Sequence, residues 1–492
     1  MRASELLVAA PAGVPLLAAA VYAVFGWTRR TAWLGAVAAA LLLAAAVGLA
    51  VAVTGKPALT GCWGLLRVDA LSAYMLIVIG AVALPAMLAG PGYLADRTGP
   101  RAAVLARRYG VFTQLFLAAM ALAVLAASLG LVWVAVEATT IVTAFLVGHR
   151  HTRKATEAAW KYVVICSVGI GLALLGIVLL YFAALHAGLG EGEGLDLALL
   201  AERATALDPG VTRLAVLLLL LGFGTKAGLA PMHAWLPDAH SQAPAPVSAL
   251  MSGVLLAVAF YAILRVKVVA DQALGPQFTR VLLVAAALAS LAVAAALLLA
   301  QRDFKRLLAY SSIEHMGLLA LGAAVGGALA LGAVLLHILG HGLAKSALFL
   351  GSGHIQRAAG NSRIESVRGL AARAPLLGGA FGVGLLALLG MPPFSLFASE
   401  LGIARAGFGA GLGWVIVAAF ALMLVIVAAV GRHALLMLLG RSSEPGDRTD
   451  RVDRGAIPLV AALGVCAVLG ITLGPLGDLL GSAAAIATGV AP

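Results

Sequence analysis

VTRLAVLLLLLGFGTKAGLAPMHAWLPDAH, residues 211–240, sets the class of this chain in one stretch. Its first half is almost wholly apolar, and as part of a helix of about 20 residues it can cross a hydrocarbon core of about 30 Å. Lys226 stands inside that run, and Ala230-Pro231 and Leu236-Pro237 interrupt the helix just beyond it. Proline removes a helix hydrogen bond and its ring clashes with the preceding turn. Broken backbone at membrane depth survives only where it is buried in protein or lines a polar cavity. The stretch therefore reads as a broken or re-entrant membrane helix carrying a buried charge.

Comparable runs recur from end to end. Of 492 residues, 62% are hydrophobic and 11% charged, against roughly 45–50% and about 25% in ordinary globular proteins. A soluble enzyme, a nucleic-acid binder and a disordered tail are excluded. The fold class is an all-α polytopic membrane protein with about fourteen transmembrane helices. The informative spans are the fifth (129–148), seventh (211–230), eighth (245–266), tenth (304–322), eleventh (328–352) and twelfth (375–408), and the last is 457–480. The twelfth is too long for one straight crossing, and Met391-Pro392-Pro393 interrupts it. Two Pro-broken helices five spans apart point to a repeated transporter unit with a site in each half. The first run, with Glu5 and many helices after it, reads as a retained span rather than a signal peptide.

Charge gives the orientation. Of the 33 Lys and Arg, 22 fall in alternate loops that hold Arg29, Arg150, Lys161, Arg302, Lys305 and Arg306 among others. The opposite loops hold 8, including Arg67, Arg265 and Lys267, and Lys226, Lys345 and Arg405 lie within spans. The positive-inside bias puts the 22 in the cytoplasm and both termini outside a plasma (cytoplasmic) membrane. On this reading 441–456 is a cytoplasmic loop, and His149, His151 and His433 flank solvated loops. Cys62, Cys166 and Cys466 are far apart and without CxxC partners, so they read as buried residues and not as metal or iron–sulfur ligands.

The ionisable residues inside spans are the functional candidates, because a charge at mid-bilayer costs a few kcal/mol or more. Glu137 lies in LVWVAVEATTIVTAF (131–145), Lys226 in the broken seventh span, and Glu400 just after the break in MPPFSLFASE (391–400). His337, His341 and Lys345 follow one another at steps of four, so they line one helix face one turn apart. Neutral imidazole accepts a proton at one nitrogen and releases it from the other, and a desolvated lysine can release its proton whereas arginine cannot. The chain has 26 Arg and 7 Lys, so lysine inside a span is a chemical choice. Each residue also has a structural reading: an ion pair for Glu137, a carbonyl cap for Lys226, interhelix hydrogen bonds for the histidines. His233, Asp238 and His240 surround Pro237 near the membrane surface, with access or loop-locking roles. A zinc site needs further ligands, and no HExxH or added carboxylate accompanies His337 and His341, so no metal is expected.

TKAGLAPMHAWLPDAHSQAPAPVSALMSG (225–253), DFKRLLAYSS (303–312), HILGHGLAKSALFLGSG (337–353) and MPPFSLFASE (391–400) together resemble the antiporter-like proton-translocating subunits of the complex I and Mrp superfamily. EATTIVTAFLVG (137–148) followed by EAAWKYVVICSVGIGLALLG (157–176) is most similar to hydrogenase-4 component F of formate hydrogenlyase-like, group 4 membrane-bound hydrogenase complexes. The resemblance covers roughly 65–440. It implies two inverted five-helix repeats, helices 4–8 (109–267) and 9–13 (278–440), after N-terminal helices 1–3 (1–108) and before helix 14 and tail (457–492). It places the family's proton-transfer positions on Glu137, Lys226, His337, His341, Lys345 and Glu400, with a Glu137–Lys226 ion pair at the start. Helix 8 of several relatives carries a central lysine or histidine, whereas here VSALMSGVLLAVAFYAILR (247–265) offers only Ser248 and Ser252 with water. The resemblance further implies no redox cofactor in this chain; iron–sulfur, nickel–iron, flavin or quinone sites would lie in partner subunits. The expected partners are other membrane subunits of a hydrogenase or NADH-quinone-oxidoreductase-like complex, the lipid bilayer and protons, with Na⁺ as an alternative ion and no nucleic acid. No long lateral arm is expected after helix 14. Rival readings are an Mrp-like Na⁺/H⁺ antiporter subunit, an inorganic-carbon uptake subunit and a non-conducting structural subunit.

Overall fold

Small apolar side chains let these helices approach closely, and most of the architecture follows from that. The computed structural model describes residues 3–94, 100–440 and 456–489. The proposed cytoplasmic loop 441–456 lies outside them, except for Ala456. Among the described residues twelve helices are long and apolar enough to cross a membrane, and two bent pairs bring the count to fourteen. The sole sheet there is a two-stranded hairpin, β1 (Leu59–Gly61) with β2 (Leu66–Val68).

Helices α1 (Ala3–Phe25), α2 (Leu34–Val53) and α3 (Ala70–Leu94) precede α4 (Pro100–Leu125), α5 (Leu129–Val147) and α6 (Arg153–His186). The seventh span is broken as its prolines require: α7 (Pro209–Ala227) ends at Gly228 in a left-handed conformation, and α8 (Trp235–Gln242) resumes it. Next come α9 (Ala245–Leu274), α10 (Pro276–Leu298), α11 (Phe304–Val325) and α12 (Gly327–Ala359). The twelfth span is also broken, into α13 (Pro375–Leu388) and α14 (Ser395–Gly409), and is followed by α15 (Gly413–Leu439). Ser128, Thr152, Asp208 and Asp303 cap α5, α6, α7 and α11 by accepting N–H groups of the first turn, which satisfies donors that no helix residue can reach.

The last span departs from expectation. Instead of one helix over 457–480, α16 (Ile457–Ile471) bends by 75° into α17 (Leu476–Ala487). Gly474 has φ +49° and Pro475 precedes the new helix. At 15 residues, α16 is about 22 Å long, too short to cross alone.

The most apolar stretches of α9 and α11 are wholly buried, while those of α1, α2, α6, α10 and α15 are less than half buried. The outer helices therefore face lipid with side chains such as Val24, Val168 and Leu424. At the centre, α9 makes one π-helical turn, Met251–Leu255, and meets α12 backbone to backbone. A Cβ on Gly253 would come within 3.0 Å of the Gly342 carbonyl oxygen, and one on Gly342 within 2.9 Å of the Gly253 oxygen. This crossing leaves no room there for a long side chain on α9.

Candidate functional site

The structure gathers ionisable groups along the interior in two clusters. In the first, Glu137 and Lys226 do not form the expected ion pair. Thr140 stands between them: Lys226 Nζ donates to Thr140 Oγ1 at 2.8 Å, and that hydroxyl donates to Glu137 Oε2 at 3.0 Å. The i, i+3 spacing on α5 puts Thr140 one turn beyond Glu137, which makes this bridge possible. Lys226 also donates to the Tyr162 hydroxyl at 2.6 Å, and Ser167 donates to Glu137 Oε1 at 3.2 Å. Lys226 is fully buried, whereas Glu137 is half-buried and shares the outer surface of α5 with exposed Val134 and Ile141.

Lys226 owes its place to small residues. A Cβ on Gly222 would come within 2.6 Å of the Gly169 carbonyl oxygen and the Ala173 nitrogen, so α6 and α7 touch through their backbones. At the end of α7, Trp235 Nε1 donates to the Thr225 carbonyl at 2.9 Å and ties α8 to the break. The Trp235 ring packs at a tilt against both Tyr162 (4.9 Å between rings) and His240 (5.8 Å).

His240 therefore points into the protein. It is fully buried, and neither ring nitrogen has a hydrogen-bond partner. It lies within electrostatic reach of Lys305 and Lys345, which puts a titratable group between the clusters where α9 has none. Ser248 instead closes the loop before α9 by donating to the His240 carbonyl at 2.7 Å. Ser252 bonds Ser312 at 2.8 Å and so belongs to the second cluster. Asp238 does lie near the surface, paired with Lys161 at 3.1 Å and Arg306 at 3.2 Å. His233 is half-buried beside the α7 break.

In the second cluster α12 turns His337, His341 and Lys345 toward α11. Lys345 Nζ donates to the Leu308 carbonyl at 2.6 Å and to Ser311 Oγ at 2.5 Å. Two residues that the sequence reading passed over complete the cluster: Glu314 and His315, both buried on α11. His315 Nδ1 lies 3.0 Å from His337 Nε2, whose other nitrogen lies 2.9 Å from Ser399 Oγ on α14. The ring of His341 is 4.9 Å from that of His315. Glu400, half-buried one residue further along α14, packs its carboxylate over Gly390 at the break. A Cβ there would fall 2.2 Å from Glu400 Oε2, and Gly390 also has φ +63°. Glycine answers both demands.

Four loop assignments are corrected by burial. Lys305 is fully buried and donates to the Ala243 carbonyl at 2.9 Å, because the Asp303 cap turns the first residues of α11 inward. Lys267 is buried and pairs with Asp271 one helical turn away. His149 packs against Tyr109 at 5.6 Å, and His433 lies with Nε2 3.2 Å from the Leu298 carbonyl. Of the cysteines, Cys166 and Cys466 are buried and Cys62 is partly exposed.

Lysines, imidazoles, hydroxyls and carboxylates in an otherwise apolar interior suit stepwise proton transfer, since each can accept and release a proton or relay one. Residues 126–426 match the family model described as NADH:quinone oxidoreductase/Mrp antiporter, TM. The chain belongs to this family. It is an antiporter-like membrane subunit of the complex I, hydrogenase-4 and Mrp kind. A hydrogenase-4 component F homologue of Methylacidiphilum infernorum is 41% identical over 303 residues, 61% of this chain and 63% of that protein. The aligned stretch thus spans under two thirds of that relative. NADH-quinone oxidoreductase subunit N of Desulforudis audaxviator is 34% identical over 84% of this chain and 82% of its own length. Among solved structures, a chain of the membrane-bound sulfane sulfur reductase, an archaeal respiratory membrane complex, has the same fold. Its TM-score is 0.88 at 24% identity, over 99% of this chain and 98% of that one.

Proposed function

We propose that this chain conducts protons across the cytoplasmic membrane as one membrane subunit of a hydrogenase-like or NADH-quinone-oxidoreductase-like complex. The observation that carries the reading is the line of ionisable groups that runs from half-buried Glu137 through buried Lys226, His240, Lys345, His341, His315 and His337 to half-buried Glu400. Burying so many such groups in a membrane protein is costly unless they serve a path. Lys226 passes its proton by way of Tyr162 and His240 toward Lys345. The α11–α12 histidines carry it to Glu400. Strongly coupled groups of this kind titrate as a network and not one by one.

The two broken helices, each bringing an ionisable residue to its break, support two inverted repeats over helices 4–8 and 9–13. Redox chemistry is assigned to partner subunits, as is the covering of Glu137. A half-buried carboxylate between Val134 and Ile141 is poorly suited to lipid, so another membrane subunit packs on α5. The charge bias assigns both termini to the outside.

The test is proton uptake into vesicles carrying the whole complex, with redox turnover followed in parallel. Lys226→Ala and Lys345→Ala should abolish uptake. Lys226→Arg should abolish it too, because arginine keeps its proton. Full pumping by Lys226→Arg at normal assembly would reduce this lysine to a fixed charge and end the relay. Transport by the chain without redox partners, driven by a sodium gradient, would move it to the Mrp-like reading.

A further inference from the structure

We infer that His315, His337 and Glu400 form a binding site for a zinc-class divalent metal ion, which neighbouring His341 completes by turning its ring inward, and that the bound ion blocks the proton path. The ligand atoms of His315, His337 and Glu400 all lie within 4.8 Å of one another. Bonds of about 2.0–2.1 Å to a tetrahedral zinc ion would set such atoms roughly 3.3 Å apart. The His315 Nδ1 to His337 Nε2 separation of 3.0 Å is already near that value, so small side-chain movements close the set. An independent observation points the same way: His341 Nε2 is buried with no hydrogen-bond partner, and its ring lies 4.9 Å from that of His315. Buried polar atoms are rarely left so, and an imidazole nitrogen without a donor to accept from is a metal ligand in waiting.

Charge balance fits a dication. Glu400 as ligand, with Glu314 within electrostatic reach of it and of Lys345, puts two carboxyl groups and one amine around the ion, and the carboxyls give up their protons when a dication takes their place in the low-dielectric interior. Ser399 holds the free nitrogen of His337 at 2.9 Å, the outer-shell partner that ligating histidines almost always have. The first cluster has nothing comparable, since Glu137 and Lys226 are joined by a hydroxyl. The metal site lies along α12 about ten residues from its start at Gly327, roughly 15 Å deep, and a hydrated ion reaches it by the route proposed for protons at Glu400. Metal binding stands on this geometry alone. Blocking rests on the proposed relay, because an ion bonded to these nitrogens removes the atoms that protons would use.

The experiment uses the full chain, purified with its accompanying membrane subunits, and Zn²⁺ or Co²⁺ alone as probe. One ion should bind per chain, with the visible spectrum of tetrahedral Co²⁺ and X-ray absorption showing three nitrogen donors and one oxygen. Glu400→Gln and His315→Leu, checked for folding by circular dichroism, should lose at least tenfold in bound Co²⁺. Ser399→Ala should lose about 10–100-fold in affinity. His433→Leu, which alters a histidine outside the cluster, should bind normally. Failure of wild-type protein to bind Co²⁺, an octahedral spectrum, or equal binding by Glu400→Gln overturns the site. Binding with undiminished proton uptake overturns the block and leaves the site. Absence of uptake before any metal is added counts against the proton reading and not against the site.

Discussion

Thr140 shows how a residue of ordinary appearance governs charged neighbours. Its hydroxyl receives from Lys226 and gives to Glu137, so the two charges communicate through it. Thr140→Val keeps the shape and removes both bonds. A hydrogen bond to a charged group contributes roughly 1.5–3 kcal/mol, so proton uptake should slow by about tenfold or more while assembly remains normal. An unchanged rate would show that water replaces the hydroxyl and that Thr140 is dispensable. The sequence made Glu137, Lys226, His337, His341, Lys345 and Glu400 visible because each stands alone in an apolar run. Glu314 and His315, in SSIEHMG, were visible by the same test. Lys305 was not: RDFKR reads as a solvated loop, and only the Asp303 cap turns its lysine inward. Nor could spacing reveal Thr140, Tyr162, Ser311 or Ser399, which are common residues given meaning by helices distant in the chain.

Among elements, the proline-broken helices were legible because Pro231 and the Pro392-Pro393 pair cannot continue a helix interior. The break of the last span was hidden behind an apolar run, although Gly474-Pro475 marks it in retrospect. What anchors it is Gly470. A Cβ there would lie 2.0 Å from the Pro393 carbonyl oxygen and 2.7 Å from the Ser395 nitrogen, both backbone atoms at the other break. Helix α16 thus braces the α13–α14 junction that presents Glu400. Gly470→Ala should force these backbones apart and lower the thermal midpoint of the detergent-solubilised chain, with overpacking costing about 1–3 kcal/mol. Gly464→Ala, on the same helix with open space around it, should be neutral or slightly stabilising, because alanine is the better helix former. Equal midpoints for the two variants would remove the bracing role from Gly470. The absence of a lysine from the central turns of α9 also has an element-scale cause, since the Gly253–Gly342 crossing occupies the space that such a side chain would need.

For the whole molecule, the contacts between loops divide them into two faces without reference to a bilayer. Arg150 bonds Gln356, Lys161 and Arg306 share Asp238, and Asp303 bridges to Arg363, so these segments occupy one face. On the other, Asp69 pairs with Arg265 at 2.7 Å, Leu66 bridges to Ala126, Ser128 bridges to Asp196, and Gln272 reaches Gly489. The start of α1 joins this second face, where the Glu5 carbonyl lies near Gly61. Both ends of the described chain therefore emerge together, as an even number of crossings demands. The first face is the basic one. Withdrawing buried Lys305 and Lys267 from the loop counts leaves 21 charges against 7, and the orientation proposed from the positive-inside rule has that excess in the cytoplasm. A reporter active only in the periplasm should work when fused after Pro492 and fail when inserted at Gly446, and a cytoplasmic reporter should give the reverse. Because the two faces are fixed by contacts, swapped signals would invert the whole molecule and send the relay from Glu137 to Glu400 in the opposite sense, while opposite signs at only one position would break the crossing count itself.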